Sequence, residues 1–134
     1  MQRLIVLAGI GQLMLALVSL VIPRVLGWRE ETAKLRPLTR QVFWTYAAYI
    51  WGSHVAFGLL SVLAPGALLD GSLLARCVTG FIAAWWGVRL FVQFTWFDRS
   101  ARPPGVIYVL AEIGLVTLFI ANFVIYLTAA VRSA

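Results

Sequence analysis

Four long apolar stretches, each closed by a polar or proline-containing break, set the pattern of this chain. Leu4–Ile22 carries no charge, and Val42–Leu63 is interrupted only by the titratable His54. Leu73–Phe97 holds Arg76 near its start and Arg89 inside it, and Val106–Val131 holds Glu112 in its first third. About 20 mainly apolar residues carry a helix across a hydrocarbon core of about 30 Å. Each stretch is therefore predicted to be a membrane-spanning helix. A central arginine costs about 2.5–3.5 kcal/mol on insertion. Its neighbours Phe81, Ile82, Trp85, Trp86, Leu90 and Phe91 offset that cost.

The breaks reinforce the pattern. Pro23 follows the first stretch, Pro65-Gly66 and Asp70-Gly71-Ser72 mark a short turn, and Pro103-Pro104-Gly105 stops the third helix. The longest connection, Arg24–Gln41, holds Glu30 and Lys34 at i,i+4, which supports a short interfacial helix with Trp28 at headgroup level. The first stretch opens with Arg3, as a secretory leader does. Its apolar run is longer than the usual length of about 7–15 residues, and no small-x-small site precedes Pro23, so it is expected to be a retained span. The expected fold is all-α: an up-and-down four-helix transmembrane bundle forming one integral membrane domain over residues 1–134.

Composition agrees. Of the 134 residues 62% are hydrophobic and 12% charged, and the mean hydropathy is +0.92. A soluble domain carries about 45–50% apolar and about 25% charged residues, so a water-soluble enzyme and a disordered chain are both excluded. The single cysteine, Cys77, rules out an internal disulfide. It sits beside Arg76 and is expected to be an inert thiol in apolar surroundings. The single histidine rules out a two-histidine ligand set within one chain.

Charge sets the expected topology. With four spans, Arg3, Arg76 and Arg132 fall on the side of the termini. Arg24, Arg29, Lys34, Arg36, Arg40, Arg99 and Arg102 fall on the other. The basic loops are accordingly expected in the cytoplasm and both termini outside. Trp28, Trp44, Trp96 and Tyr108 would form the inner aromatic belt and Tyr126 part of the outer one. The net charge of +6 then reads as topology and attraction to anionic lipid. A nucleic-acid partner would need a basic soluble face, which this chain lacks.

Ionisable residues inside spans are costly and usually face an interior or a cavity. Arg89 lies eight residues before Phe97 and Glu112 six after Val106, about 12 Å and about 9 Å above one membrane face. Their similar depth predicts an ion pair between the third and fourth spans, serving either as structural glue or as a polar ligand site. Trp85 and Trp86 precede Arg89 by four and three residues, while Gln93 and Trp96 follow it by four and seven. An indole face is the expected resting place for the guanidinium, with Tyr46 and Tyr49 at comparable depth. His54 is expected to be a hydrogen-bonded structural residue. Proton relay or axial ligation of a tetrapyrrole are its functional alternatives, and no cofactor is otherwise expected.

Gln12 lies in a seam of small residues, Ala8, Gly9, Ala16 and Ser19, the composition that draws helices together in lipid. Asn122 is the expected partner of Gln12 or His54. On the third span Gly80, Ala83, Ala84 and Gly87 lie roughly opposite Arg89. If Arg89 faces inward, this strip either looks outward and offers a contact to another copy or another membrane protein, or packs internally in a bundle that uses both faces of the helix.

No nucleophile triad, metal cluster or phosphate-binding glycine pattern appears. The expected function is non-catalytic: a small subunit of the bacterial inner membrane that binds a lipophilic molecule or partner membrane protein within an oligomer or complex. Membrane lipids are its other expected partners. One alternative is an enzyme or carrier for an amphipathic lipid- or quinone-like substrate, with Arg89, Glu112, His54, Tyr49, Trp85 and Trp86 around the ligand. The other is a small oligomeric channel or transporter.

Overall fold

The computed structural model describes residues 1–95 and 105–132. The expected loop around Asp98, Arg99 and Arg102, the end of the third span at Phe97, and Trp96 lie outside the described residues. The elements are α1 (Gln2–Ser19), α2 (Ile22–Val25), α3 (Trp28–Thr32), α4 (Pro37–Leu63), α5 (Pro65–Leu68), α6 (Leu73–Thr95) and α7 (Val106–Arg132). Among the described residues there is no strand, and α1, α4, α6 and α7 are long and apolar enough to cross a membrane.

The ends of these helices follow local chemistry. The first helix stops at Ser19 rather than continuing to Ile22. Pro23 has no N–H for the Ser19 carbonyl, and its ring would strike that carbonyl in a continuous helix. The same proline is tolerated in the first turn of α2. Helix α4 starts at Pro37, five residues before the apolar pattern, because a proline preorganises the first turn whatever the polarity that follows. Its polar opening turns, with Arg40 and Gln41, extend beyond the stretch that hydrophobicity marks. At α6, the Ala75 N–H donates to Ser72 Oγ at 3.0 Å and the Ser72 N–H to Asp70 Oδ1 at 2.9 Å. The Asp-Gly-Ser turn thereby satisfies donors that a helix start leaves open.

Packing is pairwise. Helix α1 runs along α4 and α6 runs along α7. Glycines permit the first contact. A Cβ on Gly9 would lie 2.7 Å from Ser61 Cβ and 2.9 Å from the Gly58 carbonyl, and one on Gly58 would lie 2.7 Å from Leu13 Cγ. Without an aqueous hydrophobic drive between helices, such close backbone approach supplies the van der Waals attraction that holds them. The register is antiparallel, since Gly9 faces Ser61 while Ala16 meets Trp51, whose Nε1 donates to the Ala16 carbonyl at 2.9 Å.

Helices α6 and α7 are antiparallel too. A Cβ on Gly80 would lie 4.0 Å from Ala130 Cβ, and one on Gly87 would lie 2.9 Å from the Phe123 ring. The strip of Gly80, Ala83 and Gly87 therefore faces α7. Of the two placements open to it the strip takes the internal one, and of its four members only Ala84 is exposed. The ring of Phe123 on α7 occupies the flat surface that Gly87 leaves.

The two pairs join where α1 touches α7 and where large side chains of α4 and α6 interlock. Phe57 meets Phe81 and Trp85 edge-on, with centroids 6.1 and 5.5 Å apart. The core is built from Ile5, Ala8, Leu15, Leu68, Ile82, Ala83, Trp86, Phe119, Tyr126 and Ala129.

Candidate functional site

The strongest polar feature is a hydrogen-bonded knot at the centre of the bundle that draws one side chain from each spanning helix. Gln12 of α1, Ser61 of α4, Trp86 of α6 and Tyr126 of α7 are all fully buried. Trp86 Nε1 donates to Gln12 Oε1 at 3.1 Å. Gln12 Nε2 donates to Tyr126 Oη at 2.6 Å and to the Ala8 carbonyl at 3.2 Å. Ser61 Oγ donates to the Phe57 carbonyl at 2.8 Å and lies 2.5 Å from Tyr126 Oη.

Proton counting fixes every direction. An indole N–H only donates, so the Gln12 oxygen must face Trp86 and both of its amide hydrogens are used elsewhere. The serine hydrogen is committed to Phe57, so the Tyr126 hydroxyl donates to Ser61 Oγ. Each member of the knot is satisfied, the condition under which a buried polar network specifies an arrangement rather than weakening it. The seam expected around Gln12 is present: Ala8, Gly9 and Ala16 are buried and Ser19 is half-buried. Two expectations are corrected. Tyr126 is not part of an interfacial belt, and Asn122 is not the partner of Gln12.

Asn122 is fully buried on α7. Neither of its amide atoms has a hydrogen-bond partner. His54 does not serve it either, because His54 Nε2 accepts from Trp85 Nε1 at 3.3 Å. That bond makes Nε2 the unprotonated nitrogen of the ring. His54 also stacks with Trp86 at 5.0 Å and 22°, and Trp86 stacks with Phe119 at 5.2 Å and 23°. An axial bond from Nε2 to a tetrapyrrole metal would have to displace the Trp85 indole.

Arg89 is half-buried. It donates through Nη1 to Gln93 Oε1 at 3.0 Å, and its guanidinium carbon lies 4.9 Å from the centre of the Phe119 ring. It therefore rests on a phenyl face of α7, where the sequence suggested an indole of its own helix. An ion pair with Glu112 was expected. Among the described residues an ion pair joins Lys34 and Glu31 at 3.8 Å. Arg89 and Glu112 both make interactions beyond these. Arg89 thus turns toward Gln93, one helical turn along α6. In the interfacial connection Lys34 likewise takes Glu31 at i,i+3 in place of Glu30.

Tyr49 does not converge on this region. It is 69% exposed on the outer face of α4, and Tyr46 beside it is 62% exposed. Trp85 is half-buried between α4 and α6, and Cys77 is exposed. Among the described residues no group of three or more His, Cys, Asp or Glu side chains is placed to hold a metal ion. Sequence reasoning missed Ser61 as a knot member. Its only signal was its place one turn after Phe57 and close to Gly58, on the helix face that carries the small residues. Comparison with protein families, curated proteins and solved structures finds no match to this chain.

Proposed function

We propose that this chain is a non-catalytic subunit of the bacterial inner membrane, its basic loops cytoplasmic, which receives a partner membrane helix along the outer face of α4. Tyr49 carries this reading. It stands seven residues after Val42, where the apolar stretch of α4 begins, so its Cα lies about 10 Å inside that stretch. In hydrocarbon an unsatisfied polar group costs several kcal/mol. Among the described residues Tyr46 and Tyr49 are exposed and point away from the knot. A covering helix with a polar side chain or a weakened backbone bond meets that demand. The closed knot and ring-filled interior support a scaffold in preference to a chamber for chemistry.

A photo-crosslinking amino acid placed at position 49 in native membranes tests the proposal, with positions 7 and 124 on exposed faces of α1 and α7 as references. The expected result is a discrete protein adduct at 49 and lipid adducts alone at 7 and 124. Lipid adducts alone at all three positions refute it.

A further inference from the structure

The connection between α1 and α4 builds a recess outside the bundle interior. Leu20, Pro23, Arg24, Arg29, Glu30 and Trp44 line a cleft of about 420 Å³, within the range of about 300–1,000 Å³ usual for small-molecule sites. Its walls are held in place. Gly27 reverses the chain at φ 66°, a left-handed conformation that a side chain would resist, and so turns α3 back toward α4. Trp28 then packs edge-on against Phe43 and Trp44 at 5.2 and 6.2 Å. The buried Thr32 hydroxyl donates to the Trp28 carbonyl at 2.6 Å and accepts from Trp44 Nε1 at 3.3 Å. With its N–H engaged, Trp44 presents ring surface to the cleft.

The lining is dipolar. Two guanidinium groups and one carboxylate stand over an apolar floor of Leu20 and Pro23, and among the described residues Arg24, Arg29 and Glu30 enter no ion pair. The cleft also lies where α1 ends and α4 begins, which in the expected topology is the boundary between hydrocarbon and headgroups. Planar guanidinium groups bind phosphate through charge-assisted bonds, and a carboxylate and an indole both attract an ammonium.

We propose that this cleft holds the headgroup of a phospholipid bearing both a phosphate and a primary amine. The phosphate lies against Arg24 and Arg29 and the ammonium against Glu30. Leu20, Pro23 and Trp44 cover the glycerol and the first methylenes of the acyl chains. A lipid with phosphate but no amine leaves Glu30 facing neutral or anionic groups and binds more weakly.

Native mass spectrometry of the full chain in mild detergent tests this with three probes at equal concentration. They are phosphatidylethanolamine, phosphatidylglycerol with the same acyl chains, and soluble glycerophosphoethanolamine. The expected result is at least fivefold more phosphatidylethanolamine adduct than phosphatidylglycerol adduct, and no adduct with the soluble headgroup. Arg24→Gln with Arg29→Gln should lower both lipid adducts at least tenfold. Glu30→Gln should reduce phosphatidylethanolamine binding to the phosphatidylglycerol level. Phosphatidylglycerol binding as well as or better than phosphatidylethanolamine, or an unchanged adduct in the double arginine variant, overturns the proposal. Equal binding of the soluble headgroup overturns the assignment to lipid. Should the double variant not accumulate, Glu30→Gln alone decides, since loss of the amine preference is expected and its retention refutes the site.

Discussion

Removing one oxygen atom from the knot tests whether it holds the bundle together. Tyr126→Phe keeps the buried ring and its packing and deletes only Oη. Two bonds are lost, the one received from Gln12 Nε2 at 2.6 Å and the one given to Ser61 Oγ. Gln12 is left with a buried N–H that has no acceptor, and at full burial of Gln12, Ser61 and Tyr126 water cannot replace it. A buried donor left open costs about 1–3 kcal/mol in soluble proteins. Inter-helix hydrogen bonds in lipid average about 0.6 kcal/mol and reach about 1.7 kcal/mol, because the unpacked helices also find partners. Two such bonds give an expected loss of about 1–3 kcal/mol. Equilibrium unfolding in mixed micelles of increasing sodium dodecyl sulfate, followed by tryptophan fluorescence, measures it. In a double-mutant cycle, Gln12→Leu with Tyr126→Phe should cost less than the two singles combined, by about the energy of their shared bond. A Tyr126→Phe protein within about 0.3 kcal/mol of the parent, additive with Gln12→Leu, would show that the knot contributes shape alone.

Three further outcomes follow from the same contacts. Gly9→Ala places a methyl 2.7 Å from Ser61 Cβ and against backbone of Gly58, which cannot yield. The variant should lose about 1–3 kcal/mol, whereas Gly52→Ala, with nothing within 4 Å, should be neutral or gain up to about 1 kcal/mol, both read in the same unfolding assay. Asn122→Leu replaces a fully buried amide that has no hydrogen-bond partner and should raise the unfolding midpoint, by about 1–3 kcal/mol; a lower midpoint would reveal that the amide is engaged. Bonds from the Ser72 hydroxyl and N–H hold the Asp70 carboxyl below its ordinary value. A depressed value means that the turn is stabilised above the ordinary carboxylate range and loses that support as pH falls through the folded value. Hydrogen exchange at Ala75 should therefore accelerate on acidification relative to intrinsic rates, and Asp70→Asn should abolish the dependence.

The spans were legible because twenty apolar residues in a row have few alternatives, and the breaks at Pro23, Pro65 and Gly71 carry their own stereochemistry. The inner partnerships were harder to read. Helical spacing says which residues share a face but not how far a helix is rotated about its axis. An error in rotation exchanges the inside and outside of α6, which is why the sequence left Gly80, Ala83 and Gly87 open to either side. Depth located Arg89 and Glu112 at one level but did not reveal that Gln93 and the Phe119 ring receive the guanidinium. Gln12 stood out as the lone amide in a small-residue seam. Tyr126 did not, because an amphipathic ring near a span end reads as an interfacial anchor until a neighbouring hydroxyl is seen to receive it.

The pairwise packing has a consequence for biogenesis. Each tight couple is contiguous in sequence, so the first hairpin can close on its own glycines while the second half is still on the ribosome. The second can do likewise before the halves dock. The final seam is thin: one amide, two hydroxyls, an indole and a few interlocking rings. A chain cut at the exposed Gly71 and produced as two fragments should therefore reassemble in the bilayer, with docking as the late and reversible step.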